Sequence, residues 1–125
     1  MSWLYVFLGA GLGGVARYAI SELTRRGAGP DSLPLATLSV NVIGSLLMGV
    51  AFSALAGAER STALFALIGA GFLGGFTTFS AFSLDVIRLL ERGELSLALG
   101  YLIGSVALSI GALALGLFAH RAFAG

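Results

Sequence analysis

The sequence predicts an all-α membrane protein with four transmembrane helices, the third interrupted mid-membrane by a polar, aromatic-rich break. Three observations lead there. Hydrophobic residues fill 58% of the 125 positions and charged residues only 10%, against roughly 25% charge in soluble domains. That leaves too little polar surface to cover a core in water. The charges also cluster, leaving charge-free stretches at 1–16, 32–58, 61–84 and 95–119. The last three are long enough for a helix to cross a hydrocarbon core, which takes about 20 apolar residues. Within the third lies Gly74-Gly75-Phe76-Thr77-Thr78-Phe79-Ser80-Ala81-Phe82-Ser83. Its two glycines weaken a helix, and its four hydroxyls compete for the backbone bonds of one.

Helix 1 is expected over 3–23, spanning only if it runs through Arg17 to Ile20. Met1-Ser2-Trp3 carries no basic segment and the apolar run has no convincing cleavage site, so this helix reads as retained rather than as a signal peptide. Gly27-Ala28-Gly29-Pro30 marks the first loop, and Pro34 suits the first turn of helix 2, expected over 33–57. Helix 3 is expected over 62–90 and helix 4 over 95–121. The connections near Ala58–Ser61 and Glu91–Glu94 are short. Successive helices are therefore expected to be antiparallel neighbours, with both termini on one side, in a single domain of residues 1–125. Arg25, Arg26, Arg88 and Arg92 fall on one side against Arg60 and Arg121 on the other, and lysine is absent. The positive-inside rule then favours one orientation by a margin of two, a bias weak enough to be compatible with insertion both ways.

Several function classes are excluded. Without cysteine there are no disulfides or thiolate metal sites. A net charge of +1 with no basic, aromatic-interleaved stripe gives nucleic acid nothing to bind. Gly9-Ala-Gly11-Leu-Gly13-Gly14 and Gly69-Ala-Gly71-Phe-Leu-Gly74 both match G-x-G-x-x-G. A dinucleotide site needs that pattern between a strand and a helix. Inside apolar spans, close helix packing through small residues is the better account. His120, the sole histidine, has no obvious partner and reads as interfacial. The acidic residues fall in or beside loops, with Glu22 and Glu59 expected to be solvated. No catalytic constellation emerges, so an enzyme is not expected.

Unpaired polar groups are costly in hydrocarbon and should face protein or water. Thr37, Asn41 and Ser45 recur every four residues on helix 2 with Gly44 beside them, and Tyr101, Ser105 and Ser109 repeat that spacing on helix 4. Hydroxyls can bond back to their own helix; the Asn41 amide cannot. Interhelical hydrogen bonding and a functional lining are both open for these stripes. A break is tolerated only where the freed backbone groups are buried or line a wet cavity. Exposed carbonyls there could bind a cation, and the N–H end of a half-helix could favour an anion. Phe79 and Phe82 lie one turn apart, a spacing that plain packing also explains. Hydroxyl and amide donors, ring edges of partial positive charge and Arg17, with no carboxylate in the charge-free spans, suit a small anion best.

These residues resemble the Fluc (CrcB-type) family of bacterial fluoride channels. The resemblance covers nearly the whole chain: Gly13-Gly14-Val-Ala-Arg17-Tyr18, Thr37-Leu-Ser-Val-Asn41-Val-Ile-Gly44, and Gly71-Phe-Leu-Gly74-Gly75-Phe-Thr77-Thr78-Phe79-Ser80-Ala-Phe82. The last is long and specific; Ala81 departs from it, the family often having threonine there. The resemblance implies an antiparallel, dual-topology homodimer in the bacterial inner membrane that exports fluoride passively and so confers fluoride resistance. It implies that Phe79 and Phe82 line the pore, that Asn41, Thr78, Ser80, Ser83 and Tyr101 belong to its polar lining, and that Arg17 sits in an aqueous vestibule. It also implies a structural sodium ion (Na+) at the dimer centre, held by backbone carbonyls of Gly74 and Thr77. The alternatives are a small four-helix multidrug or cation exporter, which would need a membrane-embedded acid in helix 1, and a non-transporting membrane subunit.

Overall fold

The computed structural model describes residues 2–28, 34–55 and 61–124. Helix α1 runs Ser2–Ala28 and α2 Leu35–Leu55. The third span begins as α3 (Ser61–Leu64), widens into a π-helical segment (Phe65–Leu73) and tightens again in α4 (Gly74–Phe76). After Thr77 and Thr78 it resumes as α5 (Phe79–Glu91), and α6 follows over Leu95–Ala124. Among the described residues, four stretches are long and apolar enough to cross a membrane: Ser2–Gly27, Leu35–Leu55, Thr62–Glu91 and Leu95–Phe123.

The helix ends differ from the sequence expectation for local reasons. Helix α1 continues past residue 23, carrying Gly27 and Ala28 in its last turn, while Gly29 and Pro30 lie outside the described residues. Arg25 and Arg26 sit in that turn, where cations oppose the partial negative charge of the carbonyl end. Glu22 is paired with Arg25 at 2.9 Å in an exposed ion pair, so it is solvated as expected and also has a partner. Pro34 stands just before α2 instead of within its first turn: its carbonyl accepts the Leu38 N–H at 3.3 Å. Residues 33, 56 and 57 of the expected helix 2, and Glu59 and Arg60 beyond it, lie outside the described residues.

The connection after α5 is a three-residue reversal. Gly93 takes a positive φ of 78°, a conformation that costs glycine little. Its N–H bonds to Leu90 O, and that of Glu94 to Leu89 O, both at 3.0 Å. This paired pattern satisfies the carbonyls a helix end leaves open. The Glu94 carbonyl then accepts from Ala98 to start α6.

Glycine rows set the packing. A Cβ on Gly9 would strike the Leu67 carbonyl, and one on Gly13 the carbonyl of Phe72. Hence α1 lies backbone-to-backbone on the π segment, as small residues permit. Gly11 and Gly14 meet nothing, so only part of the first glycine run packs. A second close contact joins α2 to α6, where Gly49 faces Leu113 O and Gly116 faces Leu46 O. The closest partners are thus alternate spans, first with third and second with fourth, and each pair runs parallel: Gly9 meets Leu67 and Arg17 meets Gly75 in one, Leu46 meets Gly116 and Ser53 meets His120 in the other. Sequence neighbours do run antiparallel, since Asn41 meets Thr78 while Gly44 meets Phe76 and Thr77. They are simply not the tightest pairs. The buried cluster of Phe82, Leu89, Ala98 and Tyr101, with Leu38 and Val86 against it, ties α2, α5 and α6 together. At the far end His120 Nδ1 lies 2.9 Å from Ser53 Oγ, giving the histidine a partner the sequence did not suggest.

Candidate functional site

The helix stops at Thr77 because Thr77 and Thr78 adopt extended conformations, φ −85°, ψ 159° and φ −152°, ψ 124°. Threonine tolerates this well, being β-branched and able to bond nearby backbone through its hydroxyl. Thr77 gives both its N–H (3.0 Å) and its Oγ1–H (2.9 Å) to Leu73 O. Thr78 caps α5: its Oγ1 accepts the Ala81 N–H at 3.1 Å, as N-cap threonines do.

Neighbouring spans take up what the break frees. Asn41 on α2 pairs with Thr78 at both ends, Nδ2 donating to Thr78 O at 3.0 Å and Oδ1 accepting from Thr78 N at 2.8 Å. Only one amide orientation makes both bonds, since the reverse would set donor against donor. On the other flank, Arg17 Nε donates to Gly75 O at 3.1 Å. An unbroken helix would return the amides of Thr78 and Ala81 to the carbonyls of Gly74 and Thr77. Here those amides go to Asn41 Oδ1 and Thr78 Oγ1, which frees the two carbonyls. Gly74 is exposed and Thr77 half-buried.

An aromatic chain leads away from the break. The ring centroids of Phe79 and Phe82 are 5.5 Å apart at 48°, and those of Phe82 and Tyr101 5.4 Å apart at 41°. Phe79 is 77% exposed, whereas Phe82 and Tyr101 are 6% and 4% exposed. Tyr101 donates its hydroxyl to Asp85 Oδ2 at 3.0 Å. Ser83 Oγ bonds back to Phe79 O at 2.9 Å, and Ser80 Oγ lies 3.3 Å from Thr78 Oγ1. A cavity of about 430 Å³ opens beside the break. Asn41, Ser45, Thr77, Phe79, Phe82 and Ser109 are among its lining residues.

Residues 4–117 match the family model described as "CrcB-like protein, Camphor Resistance (CrcB)". The chain belongs to this family. It is 48% identical over 124 residues to the fluoride-specific ion channel FluC of Granulibacter bethesdensis, covering 97% of this chain and 95% of that one. It is 47% identical over 120 residues to the protein of that name from Paracoccus denitrificans, covering 96% and 94%. A third, from a Methylobacterium species, is 47% identical over 126 residues, covering 98% of each. With four spanning stretches and this membership, the protein is a multi-pass membrane protein.

The residues singled out in the sequence do not all meet in one place. Asn41, Thr77, Thr78, Phe79 and Phe82 surround the cavity, joined by Ser45, Ser105 and Ser109 from the two polar stripes. Tyr101 instead faces a second cavity of about 370 Å³, beside Gly100 and Gly104, with Ser105 shared between the two. Gly74, Ser80 and Ser83 lie on the exposed surface. Arg17 lies on the α1 side of the break, its Nε on the Gly75 carbonyl.

Two participants were missed. Gly75 was noted only as a helix breaker, yet it supplies the carbonyl for Arg17. Asp85 was grouped with the loop acids, but α5 continues to Glu91 and leaves Asp85 half-buried within the third span. The spacing Phe79, Phe82, Asp85 puts all three on one helix face, a signal the sequence did contain. Among the described residues, no cluster of three or more His, Cys, Asp or Glu could hold a metal ion.

Proposed function

We propose that this protein is a fluoride-selective channel, not an enzyme, that lets fluoride leave the cytoplasm passively across the bacterial inner membrane. The observation that carries this reading is similarity over 97% of the chain to a protein named a fluoride-specific ion channel. Neither the multidrug exporter nor the non-transporting subunit accounts for that likeness. Fluoride is small and strongly hydrated, so a path must replace its water with donors set in series. The rings of Phe79 and Phe82 offer edges of partial positive charge. Asn41 has a second amide hydrogen beyond the one given to Thr78 O. Thr78 and Ser80 add hydroxyls to the lining, Ser83 and Tyr101 would add theirs by releasing Phe79 O and Asp85, and Arg17 supplies positive charge near the break.

The working unit of this reading is an antiparallel homodimer inserted in both orientations, with the break at mid-membrane. Exposed Gly74, Ser80 and Ser83 support it, as do the freed carbonyls of Gly74 and Thr77. Lipid cannot satisfy such groups, and a second copy covering that face would. The same two carbonyls suit a sodium ion: hard monovalent cations take neutral oxygen ligands, and a carboxylate cluster is not required. Gly74 and Thr77 would hold it from each subunit. When bound, the ion supplies positive charge that neutralises the carbonyl dipoles and ties the two breaks together.

The test is efflux from liposomes. Purified protein should release fluoride passively and chloride very slowly. Comparable efflux of the two halides would sink the assignment.

A further inference from the structure

We propose that Arg17 is a positioning residue of the break: it takes up the Gly75 carbonyl on the α1 side, so that the Gly74 and Thr77 carbonyls are left for a cation. This rests on the cation reading given above and extends it to a residue on another span.

Successive residues of a helix sit about 100° apart around its axis, so the carbonyls at the end of α4, all directed toward its C-terminus, emerge at different places around it. The two glycines differ accordingly. A Cβ on Gly75 would run into the backbone of Ala10 on α1, while one on Gly74 would meet only the Gly69 carbonyl at 3.7 Å. Gly75 therefore faces α1, and Gly74 is exposed on the open side. In an unbroken helix Gly75 O would receive the Phe79 amide. The extended Thr77 and Thr78 lie between the two helices, and Gly75 O receives Arg17 Nε at 3.1 Å instead.

A charge-assisted bond to a helix C-terminus is favourable twice over, as a hydrogen bond and against the partial negative charge of the helix end. Asn41 does the matching task at Thr78 from α2. Between them the two side chains hold the break open from opposite spans. Without Arg17, Gly75 O would have to find another donor, and the nearest remedy is a shift of α4 that also moves Gly74.

The competing role for Arg17 is a charge that gathers anions. The two roles separate by chemistry at one atom. Glutamine places an amide nitrogen at the position of arginine Nε, keeping the donor and losing the charge. Lysine keeps the charge but has carbon at that position. Methionine has neither.

The experiment measures the sodium concentration giving the half-maximal rise in melting temperature of the detergent-solubilised protein. Choline replaces sodium to hold ionic strength constant. Arg17→Gln should stay within about twofold of wild type, while Arg17→Lys and Arg17→Met should need roughly five- to tenfold more sodium, the scale of one lost hydrogen bond. Arg17→Lys matching wild type while Arg17→Gln shifts would overturn the proposal in favour of charge. Wild-type values in all three variants would overturn it as well. If Arg17→Met does not fold, the glutamine and lysine variants alone decide. A wild-type protein with no sodium dependence would remove the cation reading and this inference together. Fluoride efflux, measured separately, would still stand or fall by itself.

Discussion

Replacing Asn41 with leucine tests how the break is held. Leucine has nearly the shape of asparagine, so the change removes two hydrogen bonds while leaving little cavity. Both backbone groups of Thr78, its N–H and its C=O, lose their partner on α2. An unsatisfied buried group costs about 1–3 kcal/mol; Thr78 is half-buried beside the cavity, so roughly 2–6 kcal/mol is the upper bound for the pair, reduced by any water that takes the place of the lost partners. At that bound it is a large part of the 5–15 kcal/mol, in order of magnitude, that holds a folded domain together. The chain has one local escape: the Thr78 amide can return to Gly74 O if Thr77 and Thr78 become helical. That rewinding recovers one bond and consumes a carbonyl proposed for the cation. Either way, Asn41→Leu should melt earlier than wild type, lose sodium-dependent stabilisation and release fluoride from liposomes far more slowly. Melting in detergent with and without sodium, followed by fluoride efflux, reads all three. A variant with wild-type melting and wild-type efflux would refute the claim that Asn41 holds the break.

The remaining expectations concern the aromatic chain and the helix packing. Phe79→Ile and Phe82→Ile should each reduce fluoride flux while leaving the proposed dimer intact, and Phe82→Ile should also lower the melting temperature, because Phe82 is 6% exposed within the subunit itself. Unchanged flux in both would take the rings out of the path. Asp85→Ala should slow fluoride efflux by releasing the Tyr101 hydroxyl it holds at 3.0 Å, and Tyr101→Phe should slow it to a similar degree; opposite effects would show that the pair does not act as a unit. Gly9→Val should destabilise strongly, since its Cβ would meet the Leu67 carbonyl, while Gly11→Ala, which meets nothing, should melt like wild type. Equal melting of the two glycine variants would contradict the backbone contact between α1 and the π segment.

The spans were legible because length and charge-free composition suffice to mark a membrane crossing. The break was legible because the hydroxyls of Thr77 and Thr78 compete for backbone bonds by their own chemistry, whereas Gly74 and Gly75, read as helix breakers, stay helical in α4. Other features depend on groups far apart in sequence, and no local pattern carries them. Arg17 finds Gly75 across 58 positions and His120 finds Ser53 across 67. The π segment Phe65–Leu73 is composed of residues that fit an ordinary helix equally well, so composition gave no sign of it. The preference for alternate spans as partners follows from which glycines face each other. Gly9 and Gly13 are four apart and pack, whereas Gly11 between them does not. A sequence match to a glycine motif cannot tell these apart, because every glycine in it has the same composition and a different direction.

Direction is also what gives the break its two sides. Toward α1 and α2, side chains meet the freed backbone: Arg17 at Gly75, Asn41 at both groups of Thr78. Gly74, Ser80 and Ser83, by contrast, are exposed. Had the break served only to bend the third span, the economical arrangement would satisfy its carbonyls within the subunit on every side. Spending an arginine on one flank and an asparagine on the other while leaving Gly74, Ser80 and Ser83 bare makes sense if something outside the subunit completes the break. A second copy brings the same oxygens and hydroxyls to the same place, so one surface would build both halves of a cation site. The prediction is therefore specific to this face. A bulky substitution at exposed Ser80 should weaken self-association in detergent, whereas one at Leu12, exposed on α1, should not. Dimers that persist in the first case and dissociate in the second would move the interface to α1 and leave the open carbonyls unexplained.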